Sequence, residues 1–354
     1  MYGHIGKGRK MKRLMQIFVI VLCSSVWFGT AVYAGPSVVV SEGKYVMGDL
    51  DSKKDAKALA LIEAKRLALE QAGTYITSST EVKNFQLSKD QINTLASGIM
   101  SVEVLKEDWK MSGENMVVTI QIRATIDTSN LKDKISRIQE GESTENYKEI
   151  QSQLAILQKE LSELKAQRQK EAAAGAKEPP SKEMKDRHEN IVKGMSALEY
   201  VEKGNGALAT QRWKDALDAF NQAILLNAGL VDAYAGKAFA LYVLRRPEEA
   251  LVSVDKGLEI APLSPRNLGV KALILKDRPD QVDVALGLVN KALHVVPDSQ
   301  RLYRIRGEVY IKMRKPRLAQ ADFVTACKLG AKEACRRAEL LRDKVDPKRP
   351  FERK

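Results

Sequence analysis

Beyond residue 34, the side chains best suited to chemistry are two histidines, His188 and His294, and two cysteines, Cys327 and Cys335. Imidazole and thiolate groups are common general bases, nucleophiles and transition-metal ligands. Here the histidines and the cysteines lie in separate segments, so they show no metal-ligand spacing. The sequence has no phosphate-binding loop, dinucleotide-binding glycine pattern, nucleophile elbow or zinc-protease motif. We therefore expect a protein without catalytic residues, metal or cofactor.

The two cysteines flank a predicted helix–turn–helix junction and have seven residues between them. This gap resembles that of the cysteine-rich helical repeat proteins of the bacterial envelope. Such pairs are disulfide-bonded in that family, so the resemblance implies a disulfide between Cys327 and Cys335. The alternative is that both are small buried residues at a helical hairpin.

A repeated pattern fills residues 191–342. A small residue recurs at intervals of 34, 35 and 34 residues, and a core-sized side chain follows each one after four positions. The small residues are Ala216, Ala250, Ala285 and Ala319, and the large ones are Phe220, Val254, Val289 and Phe323. Period and residue order resemble the tetratricopeptide (TPR) repeat. The resemblance implies about four helical hairpins and a terminal helix, stacked into an all-α solenoid with a concave groove that binds peptides.

In TPR arrays the first helix of each hairpin lines the concave groove. Carried onto this sequence, the resemblance implies a groove that is apolar in its first three units and basic in its last. The groove residues would be Asn205, Phe239, Tyr242, Leu273, Arg301, Arg304 and Lys312. We expect a protein or peptide partner with apolar anchors and an acidic end. The alternative is that Phe239 and Leu273 belong to the packing between repeats.

Residues 35–130 predict a small α+β module. The predicted elements are a strand or hairpin around Gly43, a long alanine-striped helix over 53–76, an edge strand over 80–83, a helix over 89–96 capped by Ser88, and a hairpin of strands 100–109 and 116–126. This order is similar to the N-terminal domain of flagellar assembly protein T and related envelope lipoproteins. The segments that carry the resemblance are 42–44, 64–73 and the hairpin. It implies a structural component of the periplasm.

Residues 131–171 predict a helical segment that contains a short coiled coil. Its apolar positions step by 3, 4, 3, 4 and 3 residues, which is a heptad seam: Tyr147, Ile150, Leu154, Leu157, Leu161 and Leu164. Pairing between chains would make a homo-oligomer. The alternative is that the stripe packs on one of the chain's own domains. Residues 172–190 are polar and predict a flexible tether.

Residues 1–34 read as a secretory signal peptide. Basic residues precede an apolar run over 14–22, and Val32-Tyr33-Ala34 offers a small-residue cleavage site. Translation starts at Met1 or Met11. The apolar run is shorter than the roughly 20 residues that a membrane-spanning helix needs, which disfavours a retained anchor. We therefore expect an exported protein of the bacterial periplasm or cell envelope.

The formal net charge of +13 is unevenly distributed. Outside the signal peptide the excess lies in residues 299–354, which carry 17 basic and 7 acidic groups and end in a basic tail over 343–354. In an exported protein this favours acidic peptides or an anionic envelope surface as partners, and it disfavours nucleic acid. The alternative is a solvated face with a frayed end.

Together these features predict a multidomain chain of a small α+β module, a short coiled coil and an all-α TPR solenoid. The predicted function is a non-enzymatic scaffold of the cell envelope that binds protein partners. The alternative is a structural component of an envelope or flagellum-like assembly, inserted through the N-terminal module.

Overall fold

The structure is a computed structural model that describes residues 37–78, 87–140, 143–175 and 178–345. Three features predicted above lie outside these residues. They are the signal peptide, the edge strand over 80–83, and residues 346–354 of the basic tail.

A three-stranded antiparallel sheet forms the N-terminal module. Its strands are β1 (Ser37–Val46), β2 (Met100–Ser112) and β3 (Asn115–Ile126), in the order β1-β3-β2. The segment around Gly43 is one continuous strand. The alternation predicted for β3 is confirmed, because the side chains of Val118, Ile120 and Ile122 are buried on one face. Gly113 turns the β2–β3 hairpin with a φ of +62°.

Helix α1 (Lys53–Ser78) covers the buried face of this sheet, and its alanine stripe is the contact surface. The approach is closest over β1, where a Cβ on Gly43 would lie 2.0 Å from the carbonyl oxygen of Ala60. Only glycine permits such a close approach of helix to strand. The hydroxyl of Ser41 donates a hydrogen bond to the carbonyl oxygen of Ala64 at 2.7 Å.

Helix α2 (Lys89–Ile99) begins at the predicted cap. The Ser88 side chain accepts a hydrogen bond from the Gln91 backbone N–H, and the Gln91 side chain accepts one from the Ser88 backbone N–H. This capping box satisfies two of the helix's unpaired backbone donors. Helix α3 (Leu131–Glu140) follows β3 and closes a core with Leu95, Ile99 and Ile126.

Helix α4 (Ser143–Ala173) carries the heptad seam, and the seam packs inside the chain. It lies along helix α5 (Lys182–Ala209). Ile150 shares a hydrophobic core with Leu198 and Val201, and Leu161 shares another with Ile191. The prediction of an intermolecular coiled coil at this seam is therefore wrong. A heptad stripe specifies an apolar face and not which apolar surface covers it.

The prediction of a flexible tether over 172–190 is wrong for residues 182–190, which form the first turns of α5. Ser181 caps the helix by accepting a hydrogen bond from the Met184 backbone at 3.2 Å. Within residues 182–190 only His188 is buried, and the other residues, mostly polar, face solvent wholly or in part. A composition-based prediction therefore missed this helix.

Four helical hairpins and a terminal helix follow, as predicted. After α5 come α6 (Trp213–Leu226), α7 (Val231–Val243), α8 (Pro247–Ile260), α9 (Pro265–Leu275), α10 (Val282–Val295), α11 (Gln300–Lys312), α12 (Pro316–Lys328) and α13 (Lys332–Val345). The repeated small residues allow the two helices of a hairpin to approach closely. A Cβ on Gly204 would lie 2.7 Å from the Phe220 ring, and one on Gly307 would lie 2.9 Å from the Phe323 ring. These helices form a TPR-type solenoid.

The module packs directly on the solenoid, and the described residues from Ser37 onward form one compact unit. Gly98 at the end of α2 touches the backbone of Gly206 on α5, and the Thr210 hydroxyl donates to the Gly98 carbonyl at 3.1 Å. No helix within the described ranges is both long and apolar enough to cross a membrane.

Candidate functional site

The predicted groove residues lie on the first helices of successive hairpins, at positions that repeat every 34 or 35 residues. Asn205, Phe239, Leu273 and Glu308 are equivalent positions of α5, α7, α9 and α11. Contacts between repeats show that these positions share one face. The Arg266 guanidinium donates to Asn205 Oδ1 at 2.7 Å, which links the third hairpin to the first.

The apolar part of this face mainly serves packing between repeats. Leu273 is only 9% exposed and belongs to a core with Leu302 and Ile305. Phe239 is half-buried, with its ring edge-on to Trp213 at a centroid distance of 6.3 Å and the Arg301 guanidinium 5.5 Å from its centroid. The packing alternative therefore describes Leu273 well, whereas Phe239 keeps some exposed ring surface.

Asn205 is also engaged within the protein. Its side chain is buried, its carbonyl oxygen accepts from Arg266, and its amide nitrogen is buried with no hydrogen-bond partner among the described residues. An unpaired buried donor is costly. The Asn205–Arg266 contact thus crosses the face near its first hairpin and narrows the surface left for a ligand.

Tyr242 begins a network of polar side chains at the other end of this face. Its hydroxyl donates to Asp277 at 2.6 Å, and the Lys276 ammonium donates to the Tyr242 oxygen at 3.2 Å. Asp277 also pairs with Lys312 at 2.9 Å. Burial opposes ionisation of Asp277, but the hydrogen bonds from Tyr242, Lys312 and Lys276 outweigh it and lower its pKa to about 2.

Glu308 extends this network toward the terminal helix. It lies 3.7 Å from the Lys276 ammonium and accepts a hydrogen bond from Arg337 of α13 at 2.8 Å. The predicted basic end is therefore partly neutralised by Asp277 and Glu308. Asp277 was not among the predicted groove residues, although its position just after α9, beside Lys276, could have indicated it.

The two arginines of the predicted basic end lie on α11, one turn apart. Arg301 stacks on Phe239, whereas Arg304 is half-buried and makes no hydrogen bond or ion pair with another described residue. An open cavity of about 350 Å³ lies between the third and fourth hairpins, at the other end of α11. Its lining residues are Lys276, Asp277, Pro279, Val282, Asp283, Lys312 and Met313.

His188, one of the two histidines beyond residue 34, is fully buried. Its Nε2 lies 3.0 Å from Asp51 Oδ1, and its Nδ1 lies 3.9 Å from Asp55 Oδ2. The Tyr45 hydroxyl also donates to Asp51 at 2.9 Å. The two carboxylates flank opposite ring nitrogens, and the described residues contain no group of three side chains that could hold a metal ion. This cluster joins α5 to the start of α1.

Cys327 and Cys335 form the predicted disulfide, with a Cα–Cα distance of 4.7 Å. It connects the end of α12 to the first turn of α13. Gly330 lies between them with a φ of +105°, a conformation that allows the sharp turn between the two helices.

Neither a protein-family model nor a curated protein matches this sequence. Among solved structures, the chain is similar to PilF of Pseudomonas aeruginosa, with a TM-score of 0.38 and 20% identity over 43% of this chain and 70% of that one. It is also similar to a thermophilic TPR protein of Thermus thermophilus, with a TM-score of 0.37 and 14% identity over 44% and 90% of the two chains. A third is YrrB, a TPR protein with an unusual peptide-binding site, with a TM-score of 0.33 and 14% identity over 60% and 98%.

Proposed function

We propose that this protein is a non-enzymatic scaffold of the bacterial cell envelope that binds a protein partner along the first helices of its TPR solenoid. The observation that carries the proposal is the row of side chains from Phe239 and Tyr242 to Arg304 and Lys312. It combines partly exposed aromatic surface with cations on one face. Export rests on the basic, apolar and small-residue pattern of residues 1–34.

The partner that fits this face has an apolar anchor and an acidic end. Phe239 and Tyr242 offer aromatic surface to the anchor. Lys312 is about half exposed and pairs with Asp277, so an incoming carboxylate can compete for its ammonium. Exposed ion pairs of this kind contribute little to stability, so breaking the Lys312–Asp277 pair would require little free energy. Arg304 adds a second cation about two turns away on the same helix.

Affinity capture on the full chain from envelope extract, followed by titration of the captured partner, tests this proposal. Arg301→Glu with Arg304→Glu should weaken binding and reduce its salt dependence, because exposed charges are screened at about 0.15 M salt. The matched control is Lys256→Glu with Lys291→Glu, which makes the same charge change at exposed positions of the second helices, α8 and α10. Equal affinity of both double variants for the partner would show that the groove assignment is wrong.

Tyr242→Ala is the complementary variant. It removes the aromatic surface without changing a charge, so it should weaken binding and leave the salt dependence unchanged. Helical content by circular dichroism must match the parent chain in each variant, because unfolding would also abolish binding.

A second function is a structural component of an envelope or flagellum-like assembly, inserted through the N-terminal module. The observation that favours it is the internal use of the groove, since Asn205 and Leu273 are occupied in packing. The same titration separates the two functions. Arg123 lies on the open face of the sheet. If the affinity for the captured partner is unchanged by every groove variant but reduced by Arg123→Glu, the assembly function is supported.

Mass spectrometry of the purified mature protein tests export. A new N-terminus near Gly35 is expected. An intact start at Met1 or Met11 on cytoplasmic material would contradict the proposed localisation.

A further inference from the structure

Strand β2 is an edge of the sheet, and no described strand pairs with its outer side. Helix α1 lies mainly over β1 and β3. At β2 its alanine core is bordered by Met100, Val102 and Trp109, and two lysines of the helix reach the strand. Lys57 forms an ion pair with Glu107, and the Lys53 ammonium lies 5.8 Å from the Trp109 ring centroid. β2 also exposes large apolar side chains, with Val104 47% and Met111 64% exposed. A long edge strand with exposed apolar residues is a template for pairing with another strand.

A bulge divides β2 and defines the part that can pair. The register against β3 shifts between Val104 and Lys106, after which residues 106–112 continue in regular pairing with β3. On this regular part, side chains alternate between two faces. Lys106, Asp108 and Lys110 lie on the open face of the sheet, whereas Trp109 and Met111 lie on the face that carries α1.

The charges on the open face select one partner register for this strand. If two copies pair antiparallel about Trp109, Asp108 of each lies opposite Lys110 of the other. Moving the register by two residues in one direction places Asp108 opposite Asp108, and in the other direction Lys110 opposite Lys110. A one-residue shift would place the open face of one copy against the α1 face of the other. Opposite charges on facing strands stabilise a pair, and like charges destabilise it.

We propose that a second copy of this chain pairs antiparallel along residues 106–112 of β2, about Trp109, to give a continuous six-stranded sheet. Each Trp109 then faces the Trp109 of the second copy, and aromatic cross-strand pairs are among the more stabilising ones. Because α1 lies over the other two strands, the two α1 helices stay apart and leave room for the approach. Self-association by this route does not use the α4 seam, which is buried against α5.

Analytical ultracentrifugation of the full chain over a concentration series tests the proposal. The wild-type chain should sediment as a dimer. Asp108→Lys alone, or Lys110→Asp alone, places like charges opposite each other at two symmetric positions, and each should raise the dimer dissociation constant about tenfold or more. The double variant D108K/K110D restores opposite charges and should restore the dimer.

Within the chain, Asp108 and Lys110 form an ion pair at 2.7 Å. The matched control is the pair Glu42 and Lys44 on β1, which are also two residues apart and ion-paired at 2.9 Å. E42K and K44E should leave the dissociation constant unchanged. If the wild-type chain is monomeric at every concentration, another segment or nothing covers this edge, and the proposal fails. The proposal also fails if D108K and K110D leave the dissociation constant unchanged, or if the double variant does not restore the wild-type value. It fails as well if E42K and K44E weaken the dimer as much as D108K and K110D do.

Cysteine cross-linking checks the register directly. In the proposed pairing, Lys106 lies opposite Ser112 of the second copy, whereas the two Lys106 positions are about 20 Å apart. In a Cys23→Ser chain, an equimolar mixture of K106C and S112C should form a disulfide-linked dimer under mild oxidation. Neither variant alone should do so. Cross-linking of K106C alone as efficiently as the mixture would contradict this register.

Discussion

Glu202 on α5 is a carboxyl group that folding places beside apolar surface. Burial, and secondarily the charge of Glu199, raise its pKa to about 7. The Gln151 amide of α4 donates to one of its oxygens at 3.3 Å. A carboxyl group with a higher pKa in the folded than in the unfolded chain binds more protons when folded. The free energy of unfolding therefore falls as pH rises between the two values.

We expect Glu202→Gln to remove this pH dependence. In the unfolded chain the glutamate pKa is about 4.3, so its contribution is complete below that pH and lost by about pH 7. At pH 8 the variant should be more stable than the wild type by on the order of 1–2 kcal/mol, and near pH 4 the difference should vanish. Urea unfolding at pH 4.5, 6 and 8 measures this. Parallel stability curves for the two proteins would contradict it.

At the scale of elements, the close packing of α2 against α5 depends on two facing glycines. A Cβ on Gly206 would lie 2.6 Å from the backbone nitrogen of Gly98 and 2.8 Å from its Cα. Because the obstacle is backbone, no side chain can rotate away, and the two helices must separate. Gly287 on α10 is a helical glycine whose Cβ would meet nothing within 4 Å.

Gly206→Ala should therefore destabilise the protein by about 1–3 kcal/mol, the usual cost of overpacking. Gly287→Ala is the matched control. It should be neutral or stabilising by up to about 1 kcal/mol, since alanine favours a helix more than glycine does. Chemical denaturation of both variants measures the contrast. Similar effects of the two substitutions would show that the close approach of α2 to α5 is not limiting.

The disulfide between Cys327 and Cys335 staples the terminal helix to the last hairpin. Among the described residues, α13 packs on the last hairpin through one side, which includes Ala334 and Ala338, so the disulfide limits fraying of this helix. Replacing both cysteines with serine should cost on the order of 2 kcal/mol, through loop closure in the unfolded chain. Hydrogen exchange should accelerate mainly in α13. Thiol titration of the unreduced, denatured Cys23→Ser chain should detect no free thiol, and two titratable thiols would contradict the bond in the native protein.

At the scale of the whole molecule, the module and the first repeat share hydrophobic cores, and we expect them to unfold together. Leu50 and Leu59 of the module pack with Leu161 of α4 and Ile191 of α5. Repeat arrays alone can lose cooperativity along their length, but a shared core couples neighbouring parts.

Two of the three tryptophans, Trp109 and Trp213, make this coupling measurable. Trp109 reports on the module and Trp213 on the first hairpin. In a Trp27→Phe chain, the single-tryptophan variants made by Trp213→Phe and Trp109→Phe should show coincident fluorescence transitions in urea at equal protein concentration. Midpoints that differ between the two reporters, after correction for the stability effect of each substitution, would show that the module unfolds as an independent domain.

Much of this fold follows from local sequence patterns. The recurrence of Ala216 and its equivalents predicts the hairpins, because each hairpin needs a small residue where its helices cross. The Ser88–Gln91 box predicts the start of α2, because capping involves only residues within one turn. Alternation along β3 predicts which of its sides is buried. In each case the interacting residues are close in sequence or recur at a fixed interval.

The tertiary structure decided which surfaces meet. The seam of α4 is apolar whether it faces a second chain or α5, and only the fold shows Leu161 against Ile191. In sequence, His188 and its polar neighbours resemble a solvated linker, and only the fold places them against Asp51, just before α1, and Asp55 in α1. Asp277 moderates the basic end of the groove because the solenoid brings it to Tyr242 and Lys312. The type of a side chain, apolar or charged, shows from the sequence that it needs a partner. Which partner it meets depends on the path of the folded chain, which brings together residues far apart in sequence.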